Sequence, residues 1–246
     1  MTALVLREMG TTSGRAAGGY LWAILEPVGG IVLLTLAFSL LFRSPPLGTS
    51  FPVFYATGVL PFMFYTDISG KLAQAIRFSK PLLFYPRLTF ADALLARLLL
   101  GILTQAVVFC VVTAGMLAIE DTRTHLDISA VVLGVAMVAT LAFGIGTMNC
   151  FLFGMFPVWM RVWNILNRPL FIISCIFYTF ESVPRPFQDY LWYNPLVHVI
   201  GQVRSGFYPT YEAEFVSLVY VFGLSLVLLT SGLLLLHRYH RDLLDL

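Results

Sequence analysis

The sequence predicts an all-α integral membrane protein with six transmembrane helices in one domain. Two observations carry this. The 246 residues are 59% hydrophobic and only 11% charged, with a mean hydropathy of +0.85, whereas soluble domains carry about 25% charged residues. The apolar residues also gather into runs close to the ~20 residues that one hydrocarbon crossing takes, at 23–42, 51–69, 94–119, 128–156, 162–180 and 215–236. Six crossings leave only short connections, which excludes a large soluble catalytic domain.

In chain order, residues 1–22 mix apolar and small residues with Arg7, Glu8 and Arg15, the pattern of an interfacial helix rather than a span. They lack the apolar core and small-residue cleavage site of a removable signal peptide, so the N-terminus is expected to stay on the chain. Gly10, Gly14 and Gly18 recur every fourth residue, either as a strip for close packing or as a flexible terminus. After the second span, residues 77–88 place Arg77, Lys80, Pro81, Pro86 and Arg87 around the apolar run Leu82-Leu83-Phe84-Tyr85. Apolar residues framed by prolines and cations in a water-exposed loop read as a docking element, or as a loop dipping into lipid.

Residues 181–214, between the fifth and sixth spans, are too polar for a simple span and too apolar for an ordinary loop. They hold Phe187, Tyr190, Trp192, Tyr193, Phe207, Tyr208 and Tyr211, and Pro184, Pro186, Pro195 and Pro209 break them into short helices. Backbone breaks at membrane depth persist only where protein or a water-filled cavity satisfies them. A re-entrant segment bordering a pathway is therefore expected, or an interfacial aromatic belt.

Cations set the orientation. With the N-terminus inside, Arg7, Arg15, Lys71, Arg77, Lys80, Arg87, Arg161, Arg238 and Arg241 fall on the cytoplasmic side, and Arg43, Arg123, Arg185 and Arg204 on the other. Both termini are thus expected in the cytoplasm. The net charge of +2 and the lack of a basic run argue against nucleic acid. Cys110, Cys150 and Cys175 lie far apart in apolar stretches and read as free thiols.

No enzyme constellation is visible. There is no G-x-x-x-x-G-K-[ST] phosphate loop, no H-E-x-x-H and no G-x-S-x-G. His237 and His240 sit in a basic tail that reads as a solvated helix end. Within the spans, Arg97 and Arg168 read either as snorkelling cations or as functional charges. Glu26 precedes Pro27, which frees a backbone carbonyl, so a buried polar partner and a structural or pathway role are expected there.

Arg7-Glu8 with Gly19-Tyr20-Leu21-Trp22-Ala23-Ile24-Leu25-Glu26-Pro27, then Tyr85-Pro86-Arg87 with Asp92-Ala93-Leu94-Leu95-Ala96-Arg97, then Asn194-Pro195-Leu196-Val197-His198 with Arg204-Ser205-Gly206-Phe207-Tyr208 form three blocks. Together they resemble the capsular polysaccharide export permeases, the KpsM-like membrane subunits of type-2 ABC exporters. The resemblance spans essentially the whole chain. One departure is that Gly201-Gln202 stands where an acidic residue is expected before the arginine, which puts a salt bridge to Arg204 in doubt.

The resemblance implies a homodimer in a bacterial inner membrane, paired with two KpsT-like ATPases and with periplasmic co-polymerase and outer-membrane export proteins. It implies no catalytic residue, metal or cofactor in this chain, ATP and Mg residing on the partner. It makes 77–88 a coupling helix and 181–214 a periplasmic gate. Beside it, the residues suggest a mouth for a phospholipid-ended cargo at Arg7, Arg15, Tyr20, Trp22 and Glu26. ATPase coupling falls to Lys80, Leu82, Leu83, Phe84, Tyr85 and Arg87. Tyr55, Tyr65 and Tyr178 are candidates for a pore lining, and Trp192, Tyr193, His198, Arg204 and Tyr208 for the gate. Aromatic faces suit sugars, and their hydroxyls can bond sugar hydroxyls. The rival readings are an exporter of O-antigen or teichoic acid, a membrane-embedded lipid or glycan transferase, and an assembly scaffold.

Overall fold

The computed structural model describes residues 19–83, 89–119 and 126–245, with side chains described for 21–80, 89–119 and 126–240. Among them the elements are α1 (Gly19–Ser39), α2 (Phe51–Ala73), α3 (Ala75–Leu83), α4 (Phe90–Ile119), α5 (Ile128–Met155), α6 (Pro157–Ile173), a 3-10 turn (Phe180–Ser182), α7 (Arg185–Leu191), α8 (Pro195–Phe207) and α9 (Leu218–Asp245). The all-helical expectation holds for the described residues. Among the described residues four helices are long and apolar enough to cross a membrane, at Leu21–Ser39, Phe90–Ile119, Ile128–Met155 and Leu218–His240.

The other two expected spans differ from these four for physical reasons. Helix α2 is shielded from its surroundings by its neighbours, with Phe54, Tyr55, Phe64, Tyr65, Ile68 and Leu72 nearly inaccessible. Its apolar run is interrupted by an Asp67–Lys71 ion pair of 2.7 Å whose side chains stay 30–38% exposed. Helix α6 has 17 residues and none is buried.

Local sequence sets several boundaries. Helix α4 starts at Phe90 rather than at 94, because Thr89 and Asp92 form a reciprocal cap. The Asp92 carboxylate accepts from the Thr89 N–H at 3.0 Å and hydroxyl at 2.7 Å, while the Asp92 N–H donates to the Thr89 hydroxyl at 3.2 Å. Asp127 caps α5, accepting from the N–H groups of Ser129 and Ala130. The Ser129 hydroxyl, with these N–H groups, holds its carboxyl below the usual carboxylate range. Residues 1–18 lie outside the described residues, but 19–22, expected as the end of an interfacial helix, form the first turn of α1.

Two ends of the bundle can be distinguished. One gathers the ends of α2, α5 and α9 with the starts of α4 and α6: Phe90 lies against His240 with ring centres 5.7 Å apart. The other gathers the starts of α2, α5 and α9 around α7 and α8, where the Asp127 N–H donates to the Gly206 carbonyl at 2.8 Å. The core runs between them, with α5 as its axis, packed along α9 and α2.

The α5–α9 contact depends on bare backbone. A Cβ on Gly144 would lie 2.5 Å from the Ser225 carbonyl oxygen, and one on Gly232 would lie 2.9 Å from the Met148 nitrogen. Such close approach is how helices pack where lipid gives no hydrophobic drive. Gly144→Val is therefore expected to destabilise the bundle by about 1–3 kcal/mol, the usual cost of overpacking. Gly115→Ala, with nothing within 4 Å, is the unstrained control, expected to raise stability by up to about 1 kcal/mol in thermal unfolding of the detergent-purified protein.

Candidate functional site

At the α8 end, Arg204 is 1% exposed. Its guanidinium donates to the carbonyls of Tyr178 at 2.8 Å and Ile176 at 2.9 Å, and lies 4.3 Å from the centre of the Phe54 ring. The residue thus ties α8 to α2 and to the irregular stretch after α6. That stretch includes Cys175 at a φ of 61°, so its carbonyls turn away from helical partners. Arg204 takes two of them, and Asn194 donates to a third, Ile173, at 3.2 Å. This explains why the fifth expected span ends at Ile173 instead of running to 180. Among the described residues no carboxylate forms an ion pair with Arg204, in keeping with the missing acidic residue before it.

His198 is fully buried with both ring nitrogens engaged. Nδ1 accepts from the Ser217 N–H at 3.1 Å, which leaves Nε2 to donate to the Trp192 carbonyl at 2.7 Å. The ring therefore works as a neutral connector between α8 and the start of α9, and burial lowers its pKa from the ordinary value of 6.5. Trp192 stands edge-on to it at 5.1 Å and donates its indole N–H to the Phe215 carbonyl at 3.2 Å. The Tyr220 hydroxyl donates to the Tyr193 carbonyl at 2.6 Å. Tyr208 packs over Gly48, whose φ of 73° and lack of a Cβ the contact requires.

Several expected roles change. Tyr55 and Tyr65, read as pore-lining, are each 1% exposed and belong to the core of the chain. Their rings pack against Phe54 and Phe62, so neither can meet a passing polymer. His198, Arg204 and Tyr208, read as gate residues, are buried and can act on a pathway only through the backbone they hold. Tyr178 and Trp192 are half-buried, and the exposed aromatics of this segment are Phe187, Tyr190 and Tyr193, along one short stretch. Glu26 is not buried with a polar partner: it is exposed at the rim of a cleft of about 260 Å³ shared with Thr66, Asp67, Lys71 and Gln105. Trp22 is exposed as well.

At the opposite end, α3 begins directly after α2, two residues earlier than the expected coupling segment. Arg97, read as either snorkelling or functional, is 6% exposed. It donates to the Lys71 carbonyl at 2.8 Å and stacks on Phe78 at 4.7 Å, which joins α4 to α2 and α3. A lone cation near a span end was the only local signal of this role. Lys80 is half-buried. Leu82 and Leu83 belong to α3, but their side chains, like Arg7, Arg15, Phe84, Tyr85, Arg87 and the side chain of Tyr20, lie outside the described residues. Among the described residues no three His, Cys, Asp or Glu side chains gather as a metal site.

Residues 1–208 match the family model of the ABC-2 type transporter. The chain belongs to that family. The polysialic acid transport protein KpsM of Escherichia coli is 35% identical over 236 residues, covering 95% of this chain and 90% of KpsM. The capsule polysaccharide export inner-membrane protein CtrC of Neisseria meningitidis serogroup B is 24% identical over 239 residues, covering 97% and 90%. The capsule polysaccharide export inner-membrane protein BexB of Haemophilus influenzae is 22% identical over 242 residues, covering 98% and 91%. For this ABC-2 family member, α3 and the broken segment are where, among the described residues, short helices stand between long ones.

Two outcomes follow from the geometry. Arg204→Met leaves two buried carbonyls unpaired and is expected to cost about 2–6 kcal/mol, at about 1–3 for each, with early proteolytic cleavage between residues 174 and 194. Because the pKa of His198 is lowered in the fold, its contribution is complete above its unfolded pKa of about 6.5 and is lost as pH falls through the folded value. The melting temperature is expected to fall on acidification over that window, and His198→Gln to flatten that part of the pH profile.

Proposed function

We propose that this chain is the permease subunit of an ATP-driven exporter that carries lipid-linked capsular polysaccharide across the inner membrane. The carrying observation is 35% identity to KpsM over 95% of the chain, supported by the capsule-export names of CtrC and BexB. Under this reading six helices cross the bilayer, α1, α2, α4, α5, α6 and α9, with both termini in the cytoplasm. The α3 end then faces the cytoplasm and α7 and α8 face the periplasm.

Two copies form the conduit, with a separate ATPase on each. Helix α6 supports the dimer. It has no buried residue in the protomer, yet exposes Arg161, Asn164 and Arg168 at spacings that share one face. Polar and charged groups at membrane depth need water or protein beside them, and a second copy or an aqueous path supplies both. The core position of Tyr55 and Tyr65 supports a path between protomers rather than through one.

Force enters at 77–88. ATP binding closes the two ATPases and moves α3, and Arg97 passes the motion to α2 and α4, since its guanidinium holds the Lys71 carbonyl and Phe78. The periplasmic segment 181–214 acts as the gate, with Phe187, Tyr190 and Tyr193 offering faces to sugars. Arg7, Arg15, Tyr20, Trp22 and Glu26 receive the lipid end of the cargo, and a long polymer advances stepwise over repeated cycles. The periplasmic and outer-membrane export proteins complete the route.

The test is reconstitution with the ATPase partner in vesicles: ATP-dependent appearance of glycolipid in the lumen is expected, and activity of the chain alone without ATP would favour a transferase instead. Replacing Phe84 and Tyr85 by alanine is expected to abolish ATPase capture in a pull-down while leaving the thermal unfolding of the permease unchanged. Intact capture would remove 77–88 from the coupling role.

A further inference from the structure

Between α3 and the α5–α6 junction lies a cavity of about 430 Å³. Gln74, Arg77 and Lys80 give it polar side chains, and Ile76, Phe153, Met155, Pro157 and Met160 are among its apolar lining. No carboxylate lines it, and among the described residues neither Arg77 nor Lys80 has an ion-pair or hydrogen-bond partner. Two uncompensated cations over an apolar floor are what an amphiphilic anion needs: charge at the head and a dry surface along the tail.

The walls are built in advance of any ligand. The Trp159 indole N–H donates to the Asn149 side-chain oxygen at 3.0 Å, which fixes the turn from α5 into α6. Helix α6 opens at this wall with Pro157 in its first turn and no side-chain cap at Phe156, so the positive end of its dipole adds to the two cations. Trp159 and Trp163, with ring centres 6.2 Å apart, place the start of α6 at headgroup level, where such rings collect. The cavity therefore lies where lipid phosphates lie.

We infer that this cavity is a binding site for the phosphate headgroup of an anionic glycerophospholipid, held by Arg77 and Lys80 with the top of its acyl chains against Phe153, Met155 and Met160. The site rests on the proposed topology, in which α6 crosses the membrane, for its headgroup depth and its assignment to the cytoplasmic leaflet. In consequence Lys80 faces the membrane side of α3 and leaves ATPase contact to the following residues. A lipid seated there braces α3 against α5 and α6, so the coupling element is stiff only in a membrane containing anionic lipid.

The experiment uses the purified full chain without ATPase, titrated with short-chain phosphatidylglycerol or phosphatidylcholine and read by native mass spectrometry. Phosphatidylglycerol is expected to be retained in preference to phosphatidylcholine. Arg77→Gln with Lys80→Gln is expected to weaken that retention about thirtyfold, from the usual contribution of two cations beside anionic lipid. Arg77→Lys with Lys80→Arg should restore it. Arg77 is exposed and Lys80 half-buried, and unchanged thermal unfolding of the glutamine variant separates lost binding from lost fold. Equal retention by the glutamine variant, or equal retention of the two lipids, overturns the site. So does displacement by inorganic phosphate at matched concentration, which would make it a simple anion site. If the glutamine variant keeps phosphatidylglycerol but loses ATPase capture, the cations serve a protein partner and the inference fails. Failure of transport would bear on the proposed function and leave this binding result standing.

Discussion

The guanidinium of Arg204 allows the chain to leave helical geometry inside a lipid-facing protein. A helix satisfies its own N–H and C=O groups, and any break releases carbonyls that the bilayer cannot hydrate. After α6 the chain turns through Cys175 at positive φ, and Arg204 meets the carbonyls of Ile176 and Tyr178. Without that capture two carbonyls of the unwound stretch lose their partner, and the tie from α8 to 176–178 is lost. His198, bridging the Trp192 carbonyl and the Ser217 N–H, closes the same segment onto α9.

Arg97 does at the other end what Arg204 does at this one. Both guanidiniums are buried, donate to main-chain carbonyls and lie over a phenylalanine ring. A carbonyl acceptor avoids desolvating a second full charge, the cost that makes buried ion pairs poor stabilisers. It also couples each arginine to backbone, so a shift of α3 or of the 174–182 stretch must move a helix. Between the two hubs, bare backbone at Gly144 and Gly232 brings α5 and α9 close enough to act as one body. In the proposed exporter that body transmits force between the ATPase end and the gate end.

Much of the candidate site was legible, in kind if not in detail. The short helices of 181–214 followed from its prolines. The pore-lining role of Tyr55 and Tyr65 was not legible correctly, because a tyrosine in an apolar run looks the same whether its helix is central or peripheral. Glu26 was misjudged for the same reason: Pro27 frees a carbonyl, but which way the carboxylate faces depends on where α4 lies.

The sequence by itself determined membrane residence and the all-helical character of the chain, and its prolines marked the short helices of 181–214, since these follow from hydropathy, proline and capping, all local in the chain. Only the tertiary structure decided which cations are buried and what they hold. Arg97 reaches 26 residues back to Lys71 and Arg204 reaches 28 back to Ile176. Such partners are chosen by how helices pack around α5, a long-range arrangement that no local pattern encodes.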